Sequence, residues 1–224
     1  MKIQEILNED VSPEEKRELL TEYAGIKMFA EEQCQPYLKE IGGFENALFR
    51  TPMYRGMMSL TFPKGQYSSV VNIRQDRQPT DTPPMLQSLI DDWFQHHFSI
   101  RFRQTSLHCT GLMSTARAYS STMVGPVIVL PMGDYHYAYS EVYNDLYQSL
   151  HDFGIKLPNS GKGMSRDDTL SFYENRIIEF MDAGHYQVDH GLTHAIQSGA
   201  EIMISGRKAL IVQQKFLKAL VTPE

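Results

Sequence analysis

Val124-Gly125-Pro126-Val127-Ile128-Val129-Leu130-Pro131 is the most apolar run in this 224-residue chain and reads as a buried central strand. Working outward, 100–110 alternates as a strand should, and Ser114-Thr115-Ala116-Arg117-Ala118-Tyr119 reads as a short helix. Downstream, 135–143 continues the sheet and 145–153 is helical. Thr82 as cap and Pro83 in the first turn open a further helix that ends near Phe98, with Met85, Leu89, Ile90, Trp93 and Phe94 on one face. Two more helices are expected at 169–182 and 192–198. Residues 47–61 suit a sheet, with Pro52 forcing an edge or bulge, and 67–74 forms a strand after the Pro63-Lys64-Gly65 turn. A hairpin of 201–205 and 209–213 is expected around Gly206-Arg207-Lys208, and Asn159-Ser160-Gly161-Lys162-Gly163 is the most loop-like stretch. Strands and helices mix without the regular alternation of a parallel fold, which predicts the α+β class.

The N-terminal 1–44 is expected to be a helical segment preceding a domain over 45–224. Ser12-Pro13-Glu14-Glu15 carries a cap, a proline suited to the first helical position and a glutamate placed for a capping box. Apolar residues then recur at near-helical spacing, with a break expected before Pro36 and an end at Gly42-Gly43.

Composition narrows the function classes. The chain is long enough to bury a substantial core unaided. It carries 21 Lys and Arg against 27 Asp and Glu, net −6, so no broad basic field draws it to nucleic acid or an anionic membrane. Cys34 and Cys109 are the only cysteines and lack zinc or redox spacing. Residues 1–10 do not read as a signal peptide, and no stretch approaches the roughly twenty apolar residues of a membrane span. A soluble cytoplasmic protein is expected.

Three segments carry chemistry. Tyr54-Arg55-Gly56 closes one strand-like run, Leu107-His108-Cys109-Thr110-Gly111 lies in a second, and Glu201-Ile202-Met203-Ile204 opens a third. Breaking a nicotinamide–ribose bond yields a cation-like sugar and a neutral leaving group, so it needs electrostatic complementarity at the sugar more than acid help at the base. Glu201 is placed to hydrogen-bond the ribose 2′-hydroxyl and favour that charge. Arg55 offers a fork for two-point contact with a pyrophosphate, and Gly56 allows close backbone approach. Thr110 supplies a short hydroxyl to shape the nicotinamide–ribose pocket. Tyr54 or Tyr119 is the candidate to stack on nicotinamide, and Arg77 and Arg103 are second-rank phosphate contacts.

On these residues the chain resembles the ADP-ribosyltransferase family, in particular the small transferase-like proteins of tailed bacteriophages. That pattern has Arg-Gly on the first strand, Ser-Thr-Ser on a central strand and a glutamate late in the chain. Residues 49–57 match the first element, 107–111 stand at the second and Glu201 at the third. Ser114-x-Ala116-x-x-Tyr119 and Val127-Ile128-Val129-Leu130-Pro131 look like the helix and strand that follow. The resemblance spans 47–212 and implies split antiparallel sheets around a cleft. It also implies NAD as co-substrate and transfer of ADP-ribose to a host macromolecule, protein or nucleic acid, in the host cytoplasm. Cys109 and Gly111 stand at the serine positions, so Thr110 remains, with Thr105-Ser106 as an alternative if the register differs. Gly199 stands where arginine-modifying members carry a second glutamate, which disfavours an arginine acceptor and leaves another residue, a base or water, the last giving an NAD glycohydrolase.

Other readings compete. His97-Phe98-Ser99 and His108-Cys109-Thr110 fit the His-x-Ser/Thr element that paired-histidine phosphoesterases use twice, but here the two are neighbours rather than in separate halves. His185, Asp189, His190 and His194 form the densest cluster. Gly191 interrupts any helix there and no glutamate lies between, so a polar loop–helix junction is expected rather than a metal site. Cys109 reads as buried filler, with no partner base beyond His108. The strongest rival class is a non-enzymatic phage structural or protein-binding component with a transferase-like fold. The chain has 12 Tyr and 12 Met, and Tyr135, Tyr137 and Tyr139 would line one strand face.

Overall fold

The capping box at Ser12 forms in full. In the computed structural model, which describes residues 12–59, 62, 66–78, 82–155 and 166–221, Ser12 Oγ accepts from the Glu15 N–H at 3.3 Å. Glu15 Oε2 accepts from the Ser12 N–H at 3.2 Å. Helix α1 (Pro13–Gln33) follows and buries Leu19, Tyr23, Ile26 and Ala30 on one face. The break expected before Pro36 falls at Cys34. Helix α2 (Gln35–Ile41) then stops at Gly42, which takes the left-handed φ of 85° that favours glycine.

Over 47–61 the structure corrects the sequence. Asn46–Arg50 forms a π-helical turn that buries Ala47 and Leu48, closed by the Thr51 N–H donating to Asn46 O at 2.8 Å. Strand β1 is only Tyr54–Arg55. Strand β2 (Ser68–Asn72) and helix α3 (Pro84–Phe98) follow, and α3 starts without a side-chain cap, so Thr82 does not play that part. The strand expected over 100–110 is halved: burial of Phe102 and Arg103 turns Phe102–Thr105 into helix α4, and β3 is Ser106–Thr110. Helix α5 is Met113–Ala118. The two strands expected over 124–131 and 135–143 are one, β4 (Val127–Ser140). Next come α6 (Leu146–Asp152), α7 (Arg166–Ala183), β5 (Tyr186–Val188) and α8 (Leu192–Ser198). The loop-like 159–163 and the turn at 63–65 lie outside the described residues.

The hairpin expected around Gly206 does not form. Strand β6 runs unbroken over Glu201–Gln213, because β2 pairs antiparallel with its second half from Asn72↔Lys208 to Ser68↔Val212 and holds those residues in the ladder. Helix α9 (Gln214–Val221) ends the described chain. The fold is thus α+β, with a six-stranded sheet in the order β2-β6-β3-β1-β4-β5. The registers are antiparallel, among them Tyr54↔Thr110, Arg55↔Val127 and Tyr139↔Gln187.

Two compact units divide the chain: Met1–Asn72 with Cys109–Tyr135 and Gly206–Glu224, and Ile73–His108 with His136–Ser205. The first has its core in Tyr37, Phe44, Met53, Ile128, Leu130 and Phe216, and it also buries Cys34 and Cys109, neither of them in a disulfide. The second is built on Ile90, Phe94 and Phe102 packed with Tyr173, Ile177, Phe180 and Met203. Among the described residues no helix is long and apolar enough to cross a membrane.

Candidate functional site

In the first unit, β1 lies between the end of β3 and the start of β4, so Tyr54 faces Thr110 on one side and Ile128 on the other. Arg55 and Tyr54 are half-buried, and burial raises the Tyr54 hydroxyl pKa. Thr110 is buried, and its Oγ1 accepts the Leu112 N–H at 3.2 Å, which fixes the turn from β3 into α5. Gly56 packs on the end of α5. A Cβ there would lie 2.5 Å from Ala116 O and 2.6 Å from Tyr119 Cβ, so no larger residue fits. The close approach its sequence position suggested is therefore made to protein backbone. Tyr119, just past α5, is 58% exposed.

The second unit builds an ionic cluster around Glu201. Its backbone N–H donates to Asn144 O at 2.9 Å, setting the start of β6. Its side chain is 20% exposed, against 10% for Arg103 and 13% for His108. Arg103 Nη1 donates to Glu201 Oε1 at 3.1 Å, the Leu146 N–H at the start of α6 donates to Oε2 at 3.1 Å, and His108 Nδ1 makes a short contact with Oε1. Burial works against the carboxylate, yet His108, Arg103 and the Leu146 N–H outweigh it and hold the Glu201 pKa well below the usual carboxylate range. Burial and the Arg103 charge lower the His108 pKa as well, to about 3, so the imidazole is neutral. Its closeness to a carboxylate oxygen places the single ring proton on Nδ1, donating to Glu201. The 3.1 Å approach of Arg103 Nη1 to that nitrogen is then proximity rather than a hydrogen bond.

Arg103 is itself anchored. Its N–H donates to Oδ1 of Asp91 on α3 at 2.8 Å, and Asp91 is 2% exposed. The Tyr186 hydroxyl is also buried, and it feels the charges of Glu201 and Arg103. A permanently ionised carboxylate that retains some exposure, with a guanidinium and a neutral imidazole oriented on it, can stabilise positive charge on a neighbouring group without first losing a proton.

Of the site residues read from the sequence, Tyr54, Arg55, Gly56, Thr110 and Tyr119 belong to the first unit, and Glu201 to the second. Register puts Thr110 opposite Tyr54 at the end of β3, whereas Thr105 closes α4 and bonds Ser205 Oγ at 2.9 Å. The histidine alternatives separate. His97 stacks on Trp93, and its Nδ1 is 2.9 Å from Trp93 O, while His108 serves Glu201. His190 precedes α8 and so does not share a helix with His194, and Asp189 pairs with His136 at 2.6 Å. Among the described residues no group of His, Cys, Asp or Glu could hold a metal ion. Sequence reasoning missed Asp91 and ranked Arg103 low. The available signal was a carboxylate in register with the buried Gln87 and Phe94 on a largely apolar helix face. Comparison of the chain with protein-family profiles, curated proteins and solved structures gives no match.

Proposed function

We propose that this protein is an NAD-dependent ADP-ribosyltransferase acting on a host macromolecule at a group other than arginine, with an α+β fold that is a variant of the transferase-like one. In this reading the bond between nicotinamide nitrogen and ribose C1′ breaks, its electron pair leaves with nicotinamide, and an acceptor nucleophile bonds C1′ and loses its proton. Glu201 is the carboxylate that stabilises the positive sugar and holds its 2′-hydroxyl. Arg55 grips the phosphates, Thr110 shapes the pocket, and Tyr54 or Tyr119 covers the nicotinamide.

The observation that carries the reading is the state of Glu201: ionised, partly exposed, and oriented by Arg103, His108 and the Leu146 N–H. Preorganisation of this kind is what a site for a developing cation needs. The same bonds favour a second reading, a non-enzymatic structural or protein-binding component, because a carboxylate with three donors also suits a purely structural ion pair. Incubation with NAD labelled in its adenylate part and a host cell extract tests the proposal. Label in protein or nucleic acid supports transfer, label in free ADP-ribose points to a glycohydrolase, and unchanged NAD supports the non-enzymatic reading.

A further inference from the structure

We propose that Asp91 is a positioning residue of the Glu201 site: from α3 it fixes the first turn of α4 so that the Arg103 guanidinium meets the Glu201 carboxylate. The inference rests on the reading of Glu201 as the active carboxylate. Helix α4 is four residues long, and Arg101 at its N-cap makes no side-chain capping bond, its guanidinium pairing instead with Asp92. So short a helix has no cooperative stability of its own, and its leading N–H groups need an acceptor from elsewhere. Asp91 is that acceptor. Its Oδ1 takes the Arg103 N–H at 2.8 Å, while the next N–H, that of Gln104, turns back onto Arg101 O at 3.1 Å.

A second polar residue on the same face of α3 extends the device. Gln87, 7% exposed, donates through Nε2 to Arg77 O at 3.3 Å, and the Arg77 N–H donates to Gln104 O at 3.0 Å. The two backbone segments that carry Arg77 and Arg103 are therefore tied to α3 and to each other, and both charges act on His108. Around these anchors lie Ile90, Phe94 and Phe102, which offer no alternative polar partner. A carboxylate is an expensive group to bury, and apolar packing has no need of one. The N–H at the base of Arg103, which has no acceptor within so short a helix, does need one. Arg103 is thus held by its backbone at one end and by Glu201 at 3.1 Å at the other.

Nicotinamide release from NAD tests the role. Asp91→Asn keeps one acceptor oxygen and loses the charge and the second oxygen, and Asp91→Ala loses all three. The Asn variant is expected to lower kcat roughly tenfold, and Ala further, with KM for NAD held within about twofold. In an Arg103→Ala background, Asp91→Asn is expected to add nothing. An unchanged kcat for the Asn variant, or a loss that multiplies with that of Arg103→Ala, overturns the proposal. If Asp91→Ala does not fold, the Asn variant decides alone. If the parent protein releases no nicotinamide, the reading of function fails, and urea unfolding decides the positioning claim. Coupling through Arg103 makes the midpoint shift from Asp91→Asn differ between the parent and Glu201→Gln backgrounds, and equal shifts overturn it.

Discussion

Asp91→Asn should stabilise this protein at neutral pH while impairing its site. Burial lifts the Asp91 carboxyl from 3.8 to about 6, against the opposing pull of the Arg103 and Gln104 N–H groups and the Arg103 and Arg101 charges. A group whose folded pKa is raised contributes stability that is present below its unfolded value and lost as pH rises through its folded value. For Asp91 that window runs from about pH 4 to about pH 6. A gap of a little over two units, at about 1.4 kcal/mol each, amounts to roughly 3 kcal/mol. Asparagine mimics the protonated acid, so the two proteins should be nearly equal in stability at pH 4. At pH 7.5 the Asn variant should lead by up to about 3 kcal/mol, about 6 °C or more in Tm for a chain of this size. Glu201 and His108, whose lowered pKa values make stability fall on the acid side, are common to both proteins and cancel in the difference. The assay is urea unfolding of both proteins at half-unit steps from pH 4 to 8, read as a difference curve. Parallel curves, or an Asn variant less stable than the parent at pH 7.5, would show that Asp91 carries no raised pKa in the folded protein.

Three further substitutions test the proposed roles and the packing. Glu201→Ala should reduce NAD turnover with dinucleotide affinity largely intact, whereas Arg55→Ala should weaken binding; titration calorimetry beside turnover assays checks the split, and the opposite pattern reverses the two roles. Gly56→Ala places a Cβ 2.5 Å from Ala116 O and 2.7 Å from the Tyr119 carbonyl carbon, so β1 and α5 must move apart. That should cost about 2 kcal/mol, a drop of roughly 4 °C or more in Tm, and a parent-like thermal melt would contradict the packing described.

Local signals were legible where chemistry near in sequence decides the outcome. The Ser12–Glu15 capping box, the glycine stops at Gly42 and Gly199, and the apolar face of α3 all form from residues within a few positions of one another. Distant pairing overrode local preference elsewhere. Gly206-Arg207-Lys208 has the composition of a turn, but its neighbours pair with β2 some 140 residues earlier, and the strand runs through. Burial of Ala47 and Leu48 likewise replaced a strand with a π-helical turn, and burial of Phe102 and Arg103 replaced half of another with α4. Glu201 could be singled out from its place at the head of an apolar strand. Its partners could not, since Arg103 and His108 stand 98 and 93 residues away and neither bond leaves a mark in local sequence. Asp91 was visible as a carboxylate on a buried stripe, but its purpose became clear only with the Arg103 N–H of α4 in place.

Release of nicotinamide from NAD by the purified protein, compared with its Glu201→Gln variant, decides whether Glu201 acts on a developing sugar cation. Glutamine keeps the shape and the acceptor oxygen but removes the charge that would face a positive sugar. Measurable release by the parent is expected, with a fall of about a hundredfold or more in the variant and both proteins folded. Equal release from the two, or none from either in the presence of host extract, would contradict it.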